Sequence, residues 1–196
     1  MTLGDLVAQM ADRLERAGIP YMVTGSLASS FHGEPRATRD VDLVIDPTPQ
    51  ALTGFVDGLP AAEFYVDADA ARVALQERSQ FNLVEVETGW KVDFLVRKDR
   101  PFSIEEFGRR MPTELLGHRA FIATAEDTII AKLEWAMAAE SERQMRDVAS
   151  ILAVSGEGLD FAYLDRWARQ LGLTAVWEQV RSSSQPEGTD DARAGT

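Results

Sequence analysis

The stretch "TGSLASSFHGEPRATRDVDLVID", Thr24 to Asp46, places two aspartates, Asp40 and Asp42, at the head of an apolar run that stops before Pro47. Read as a strand, the run puts alternate side chains on opposite faces. Asp40 and Asp42 then share one face, and Val41, Leu43 and Ile45 share the other. A slip of one residue would bury both acids, so burial of the three apolar side chains holds the pair in view. Upstream, Tyr21 to Thr24 reads as a short strand, and Gly25-Ser26 leads from it into a helix over Leu27 to Phe31. Backbone N–H groups and the Ser26 hydroxyl are therefore expected at a helix N-terminus, where a phosphate binds well. His32 to Arg39 reads as a loop around Gly33 and Pro35, with His32 as a hydrogen-bonding residue and not a ligand.

A third acid follows in "GWKVDFLV", where Asp93 lies between Val92 and Phe94 on a strand read from Trp90 to Val96. A lone aspartate among such residues is costly to desolvate unless something pairs with it. An arginine or a solvated face would serve. With Asp40 and Asp42 on a neighbouring strand, a cluster of three carboxylates is the more economical account. Two carboxylates 4 Å apart repel by about 4 kcal/mol at an effective dielectric near 20. A hard divalent cation such as Mg²⁺ reverses that sign, and one or two such ions can clamp a triphosphate and activate a hydroxyl.

Outward from these strands the pattern is mixed and then helical. Leu3, Leu6, Val7, Met10, Leu14 and Ala17 fall at helical spacing, ended by Gly18 and Pro20. Helices are expected over 48–59, 68–78 and 103–110, a strand over Phe81 to Glu87, and a hairpin over 113–122 around Gly117-His118. Thr124 to Asp127 is a capping-box variant opening a helix through Ile129, Ile130, Leu133 and Ala136. Further helices are read over 141–154, 160–171 and 174–181, while 182–196 lacks the apolar content to fold. The expected organisation is a mixed α/β core over 1–122, a small mixed sheet flanked by helices, followed by a helical segment over 123–181 that completes the site.

With 196 residues, 45% of them hydrophobic, the chain can bury a sizeable core. Its net charge is −12, and splitting it at residues 50, 100 and 150 leaves −3 in every part. No part is basic, which disfavours a broad nucleic-acid surface, and no DNA partner is expected. One local exception is the group Arg97, Lys98, Arg100, Arg109 and Arg110, read either as a solvated loop or as a basic patch. The chain has no cysteine, which removes disulfides and thiolate chemistry. The N-terminus has no apolar signal segment and no stretch approaches a membrane span, so a cytoplasmic protein is expected.

The ordered set G-S-x-A-x-x-x-H-G-x-x-R-x-T-x-D-x-D, Gly25 through Asp42, resembles the signature of the nucleotidyltransferase superfamily. Within it the chain is most similar to the AbiEii-like and MenT-like toxin nucleotidyltransferases, over about residues 4–154, including "KVDFLV" and "EDTIIAKLEWA…RQMRDVASIL". The resemblance implies that Gly25 and Ser26 contact nucleotide phosphates and that Asp40 and Asp42 hold Mg²⁺. Asp93 would complete a second metal site or draw the proton from the acceptor hydroxyl. Lys132 would reach the triphosphate, supported by Asp147, with Arg36 as a further phosphate contact. Read without the resemblance, Lys132 is an ordinary exposed lysine and Asp147 an i,i+4 partner of Arg143. The family's R-D-x-x-D run is here Arg146-Asp147-Val148-Ala149-Ser150, so the second acid is replaced by serine.

The activity implied is transfer of a nucleoside monophosphate from an NTP to a hydroxyl of tRNA or a protein, by the toxin of a toxin–antitoxin pair with an antitoxin partner. Two other readings stand beside it. One keeps the chemistry with a small acceptor such as an aminoglycoside, which suits an acidic surface. The other is a non-catalytic module that binds a partner protein.

Overall fold

The computed structural model describes residues 1–139 and 141–183, in which helices surround one mixed sheet. In chain order the elements are α1 (Leu3–Arg16), β1 (Tyr21–Thr24), α2 (Gly25–His32), β2 (Asp40–Ile45), α3 (Pro49–Asp57), β3 (Phe64–Val66) and α4 (Ala68–Glu77). They continue as β4 (Gln80–Glu85), β5 (Lys91–Val96), α5 (Pro101–Arg109), β6 (Met111–Leu115) and β7 (His118–Ile122). The remainder is helical: α6 (Ala125–Ala139), α7 (Glu142–Ser155), a 3-10 turn, α8 (Phe161–Gln170) and α9 (Thr174–Ser183).

The sheet has the order β3-β4-β5-β2-β1-β7-β6. Strand β2 runs antiparallel to β1 and parallel to β5. Val41, Leu43 and Ile45 of β2 and Val92, Phe94 and Val96 of β5 are at most 3% exposed, the alternation expected of strands buried on one side. On that face they join one core with α1, α3 and α4, where Phe94 stacks on Phe81 with ring centroids 5.0 Å apart. Burial of this layer fixes the register that turns Asp40, Asp42 and Asp93 to the opposite face.

A second core is built by Ile129, Ile130, Leu133, Val148, Ile151, Leu164 and Trp167 of the C-terminal helices, with Phe102 of α5 added. Helix α6 begins where Thr124 caps it: the Asp127 N–H donates to Thr124 Oγ1 at 3.2 Å. Asp127 itself is fully buried, and it accepts from Arg109 Nε at 3.1 Å and from the Tyr163 hydroxyl. Its many donors offset the cost of burying a carboxylate.

Element types follow the sequence reading, with one addition. Strand β3, three residues long, pairs with β4 at the sheet edge; it is too short to show a period in sequence. Strand β4 ends at Glu85, earlier than the pattern suggested, because the Glu85 carboxylate accepts the N–H groups of Glu87 and Thr88 and turns the chain. Ser182 and Ser183 belong to α9, whereas the rest of the expected tail, 184–196, lies outside the described residues. No helix among the described residues is long and apolar enough to cross a membrane.

Candidate active site

The chain enters α2 through Gly25 at φ +62°, in the left-handed region that favours glycine. A Cβ there would lie 2.0 Å from Asp42 Oδ2, so the position also has no room for a side chain. Thr24 of β1 pairs with Asp42 of β2, and Asp42 pairs in turn with Asp93 of β5. Residues directly opposite one another in a sheet share a face, so Asp42 and Asp93 do, and Asp40 joins them two residues earlier on β2. All three line a cavity of about 690 Å³ together with Gly25, Ser26 and Lys132.

Burial pushes the Asp42 carboxyl up from its ordinary value. The Ser26 backbone N–H and Lys132 oppose that rise, while Asp93 and Asp40 add to it. Three carboxylates thus share one cavity wall, where Asp42 is buried and Lys91 is paired with Asp93. This is the condition that a hard divalent cation relieves, and an all-oxygen donor set suits Mg²⁺. Among the described residues, no three histidine, aspartate or glutamate side chains stand together as a group that could hold a metal ion, so Asp40, Asp42 and Asp93 share a face and a cavity without forming a ready three-carboxylate site. The arrangement fits ions shared with a phosphate-bearing substrate, since Mg²⁺ takes one or two protein carboxylates and completes its shell from phosphates and water.

Lys91 was missed by the sequence reading. It stands opposite Asp40 in the β2–β5 register, and its Nζ lies 2.8 Å from Asp93 Oδ1. Residues 91 and 93 are two apart on one strand, so the period of two was the signal available. The contact supplies Asp93 with the partner that its burial requires, and Asp93 in turn raises the Lys91 pKa.

Helices α6 and α7 close the other side through a network of charges. Lys132 Nζ donates to Asp147 Oδ2 at 2.8 Å, and both side chains are 7% exposed. Arg36 grips the same carboxylate with Nε at 3.0 Å and a terminal nitrogen at 2.9 Å, and that nitrogen also reaches Ser26 Oγ at 2.9 Å. Burial raises Asp147, but the Arg36 and Lys132 hydrogen bonds outweigh it and hold the acid below its usual range. Burial lowers the Lys132 pKa, against the pull of Asp147. Ser26, Arg36, Lys132 and Asp147, drawn from α2, the following loop, α6 and α7, therefore form one unit.

The readings made without the resemblance give way at two of these residues. Lys132 is buried, not exposed, and Asp147 pairs with Arg36 and Lys132 instead of Arg143. Ser150, which stands where the family's run has its second acid, accepts the Glu34 N–H at 2.6 Å and packs beside Gly33, so it ties α7 to the loop after α2. In the basic group Lys98 is exposed, while Arg97 pairs with Asp46 and Asp99, Arg100 with Glu134, and Arg109 with Glu126 and Asp127. Arg110 donates to the Phe107 carbonyl. His32, at the end of α2, meets the Ala123 carbonyl through Nε2 at 2.7 Å, the hydrogen-bonding role read from sequence.

The overall fold is similar to that of nucleotidyltransferase-like proteins of known structure. An antigenic nucleotidyltransferase-like protein from Paracoccidioides brasiliensis matches with a TM-score of 0.59 and 17% identity, over 93% of this chain and 91% of that one. The antibiotic-resistance factor ANT(2'')-Ia matches with a TM-score of 0.57 and 11% identity, over 92% and 97%. The lincomycin-bound lincosamide antibiotic adenylyltransferase LnuA matches with a TM-score of 0.53 and 12% identity, over 79% and 98%. No protein-family model and no curated protein matches the chain.

Proposed function

We propose that this protein is a Mg²⁺-dependent nucleotidyltransferase that moves a nucleoside monophosphate from an NTP to an acceptor hydroxyl. The observation that carries this reading is the register pair Asp42–Asp93, set beneath the Gly25–Ser26 turn and facing Lys132 across one cavity. Asp40 and Asp42 would hold one Mg²⁺, and Asp93 would complete a second site. Bound there, the ions supply charge neutralisation for the triphosphate and acidify the attacking hydroxyl. The acceptor oxygen attacks the α-phosphorus in line, and pyrophosphate leaves from the opposite side.

The chain's own groups have separate tasks. Gly25 lets the backbone approach the phosphates, with the Ser26 hydroxyl beside it. Lys132, in the cavity wall, meets the triphosphate while Asp147 and Arg36 hold it in place. Asp93, anchored by Lys91, is the group positioned to take the acceptor proton. Donors fixed in this way supply catalysis by positioning and electrostatics, with little reorganisation during the reaction. In this reading 1–122 forms the catalytic core and 123–181 completes the site.

Two acceptor classes remain in play. The similarity of the Arg36–Lys132–Asp147 residues to the AbiEii-like and MenT-like toxins supports transfer to tRNA or a protein, opposed in the cell by an antitoxin. The cavity wall sets Asp40, Asp42, Asp93, Glu106 and Glu134 against Arg97, Lys98, Arg100, Lys132 and Arg143. Arg97, Arg100 and Lys132 are already engaged by Asp46, Glu134 and Asp147, which supports a small cationic acceptor as the second reading. Incubation with each α-labelled NTP and Mg²⁺, against total tRNA and against an aminoglycoside panel, separates the two. Label on tRNA alone rejects the small acceptor, and label on drugs alone rejects the toxin. Retained label transfer in a folded Asp42→Ala variant would exclude the metal mechanism.

A further inference from the structure

Glu106 is not used by the reaction above. It lies on α5, is 7% exposed, and lines the same cavity as the aspartates. Among the described residues its carboxyl group accepts no hydrogen bond and makes no ion pair. The cation that acts on it, Arg100, is already held by Glu134 at 2.5 and 2.6 Å and by Ser103 at 2.9 Å. Burial, with Asp127 and Glu134 nearby on α6, pushes the Glu106 pKa up to about 8 against the influence of Arg100. A buried carboxyl is ordinarily satisfied by donors, as Asp127 is by Arg109, Thr124 and Tyr163.

The shape of the cavity gives this group a use. Val44 and Leu95 pair across β2 and β5, two residues beyond Asp42 and Asp93 on the same face, and both line the cavity. Val44 packs against a small buried cluster of Met22, Phe107 and Ala123, to which α5 contributes Phe107, the residue after Glu106. The cavity therefore has the aspartates, an apolar floor and, at Glu106, a second group of charges in which Arg100 is taken up by Glu134 and Glu106 is left over.

We propose that Glu106 is the docking point for a cationic amine on a small polyhydroxylated acceptor, whose hydroxyl extends over Val44 and Leu95 toward the aspartates. This rests on the nucleotidyl-transfer reading and deepens it. An arriving ammonium supplies the partner that Glu106 lacks, and the carboxyl group ionises as the two meet. Near neutral pH the complex forms with release of close to one proton to the buffer, because the group is mostly protonated beforehand.

The test is calorimetric titration of the full chain with tobramycin and with glucosamine, saturated with Mg²⁺ and α,β-methylene-ATP so that the aspartates are engaged. Repeating it in buffers of different ionisation enthalpy counts the protons. Wild type should bind the amines with proton release. Glu106→Gln should weaken them about tenfold or more and abolish the release, while Glu106→Asp restores part of it. A purely structural Glu106 would leave proton release untouched. Equal binding by the Gln variant, release that persists in it, or binding of neither amine to wild type overturns the proposal. Failure of the nucleotide analogue to bind counts against nucleotidyl transfer itself and leaves the Glu106 readout standing.

Discussion

The Asp42 carboxylate lies in the space that any side chain on Gly25 would have to enter, with Oδ2 2.0 Å from where a Cβ would stand. The turn from β1 into α2 and the central acid of the site are thereby one construction. Backbone and carboxylate can converge on a phosphate because nothing projects between them.

Gly25→Ala should therefore be damaging on two counts. The positive φ costs an L-residue about 1–2 kcal/mol, and the Cβ must also displace Asp42. Misplacing the site by about 1 Å lowers transfer on the order of 100-fold. Gly54→Ala, in α3 with open space around it, is the control and should stabilise by about 0.5–1 kcal/mol. Denaturant midpoints and transfer rates measured on both variants check this pair.

Asp42→Asn keeps the shape and removes the charge. Because burial and the neighbouring acids raise the Asp42 pKa, its ionised form opposes folding above the ordinary carboxylate range. The Asn variant should be at least as stable as wild type at pH 7, yet inactive. Mg²⁺ should raise the melting temperature of wild type and leave the variant unmoved. A variant that still responds to Mg²⁺ would separate the metal site from Asp42.

Asp147→Asn leaves Lys132 and Arg36 without their common counter-charge. Breaking a buried pair of this kind costs about 3–5 kcal/mol, and both the Lys132 and Asp147 side chains are 7% exposed. The Asp147 pKa is depressed, so its contribution is present above the unfolded carboxylate pKa and is lost as pH falls through the folded value. Wild type and variant should differ most near neutrality and converge in acid. Urea unfolding at pH 7 and pH 3 measures the difference.

Glu106→Gln should act in the opposite sense. The folded pKa of Glu106 is raised to about 8, so the folded state holds a proton that the unfolded chain releases above the ordinary carboxylate range. Wild-type stability then falls as pH rises toward 8, while the Gln variant lacks this term. The stability advantage of the variant should widen between pH 5 and pH 8 and level off above. Thermal melts across that range provide the measurement.

Much of the fold was legible because its signals are short-ranged. The alternation of Val41, Leu43 and Ile45 against Asp40 and Asp42 and the Thr124 cap are contained within a few residues. The three-residue β3 carried too few positions for a pattern. Among site residues, Lys91 could have been found from its spacing to Asp93. Glu106 could not, since on α5 it looks like any helical glutamate until the chain folds the cavity against it.

The sequence alone determined which residues alternate and where the backbone can turn tightly. It therefore determined that Asp40 and Asp42 share a face and that Gly25 can enter α2 at positive φ. Only the tertiary structure decided which charges meet. Arg36 and Asp147 are 111 positions apart, Lys132 and Asp147 are 15, and their contacts arise from packing α6 and α7 against α2. Local preferences reach a few residues along the chain. Burial and electrostatics act through space, so the partner of a buried charge is set by the packed core that carries both groups.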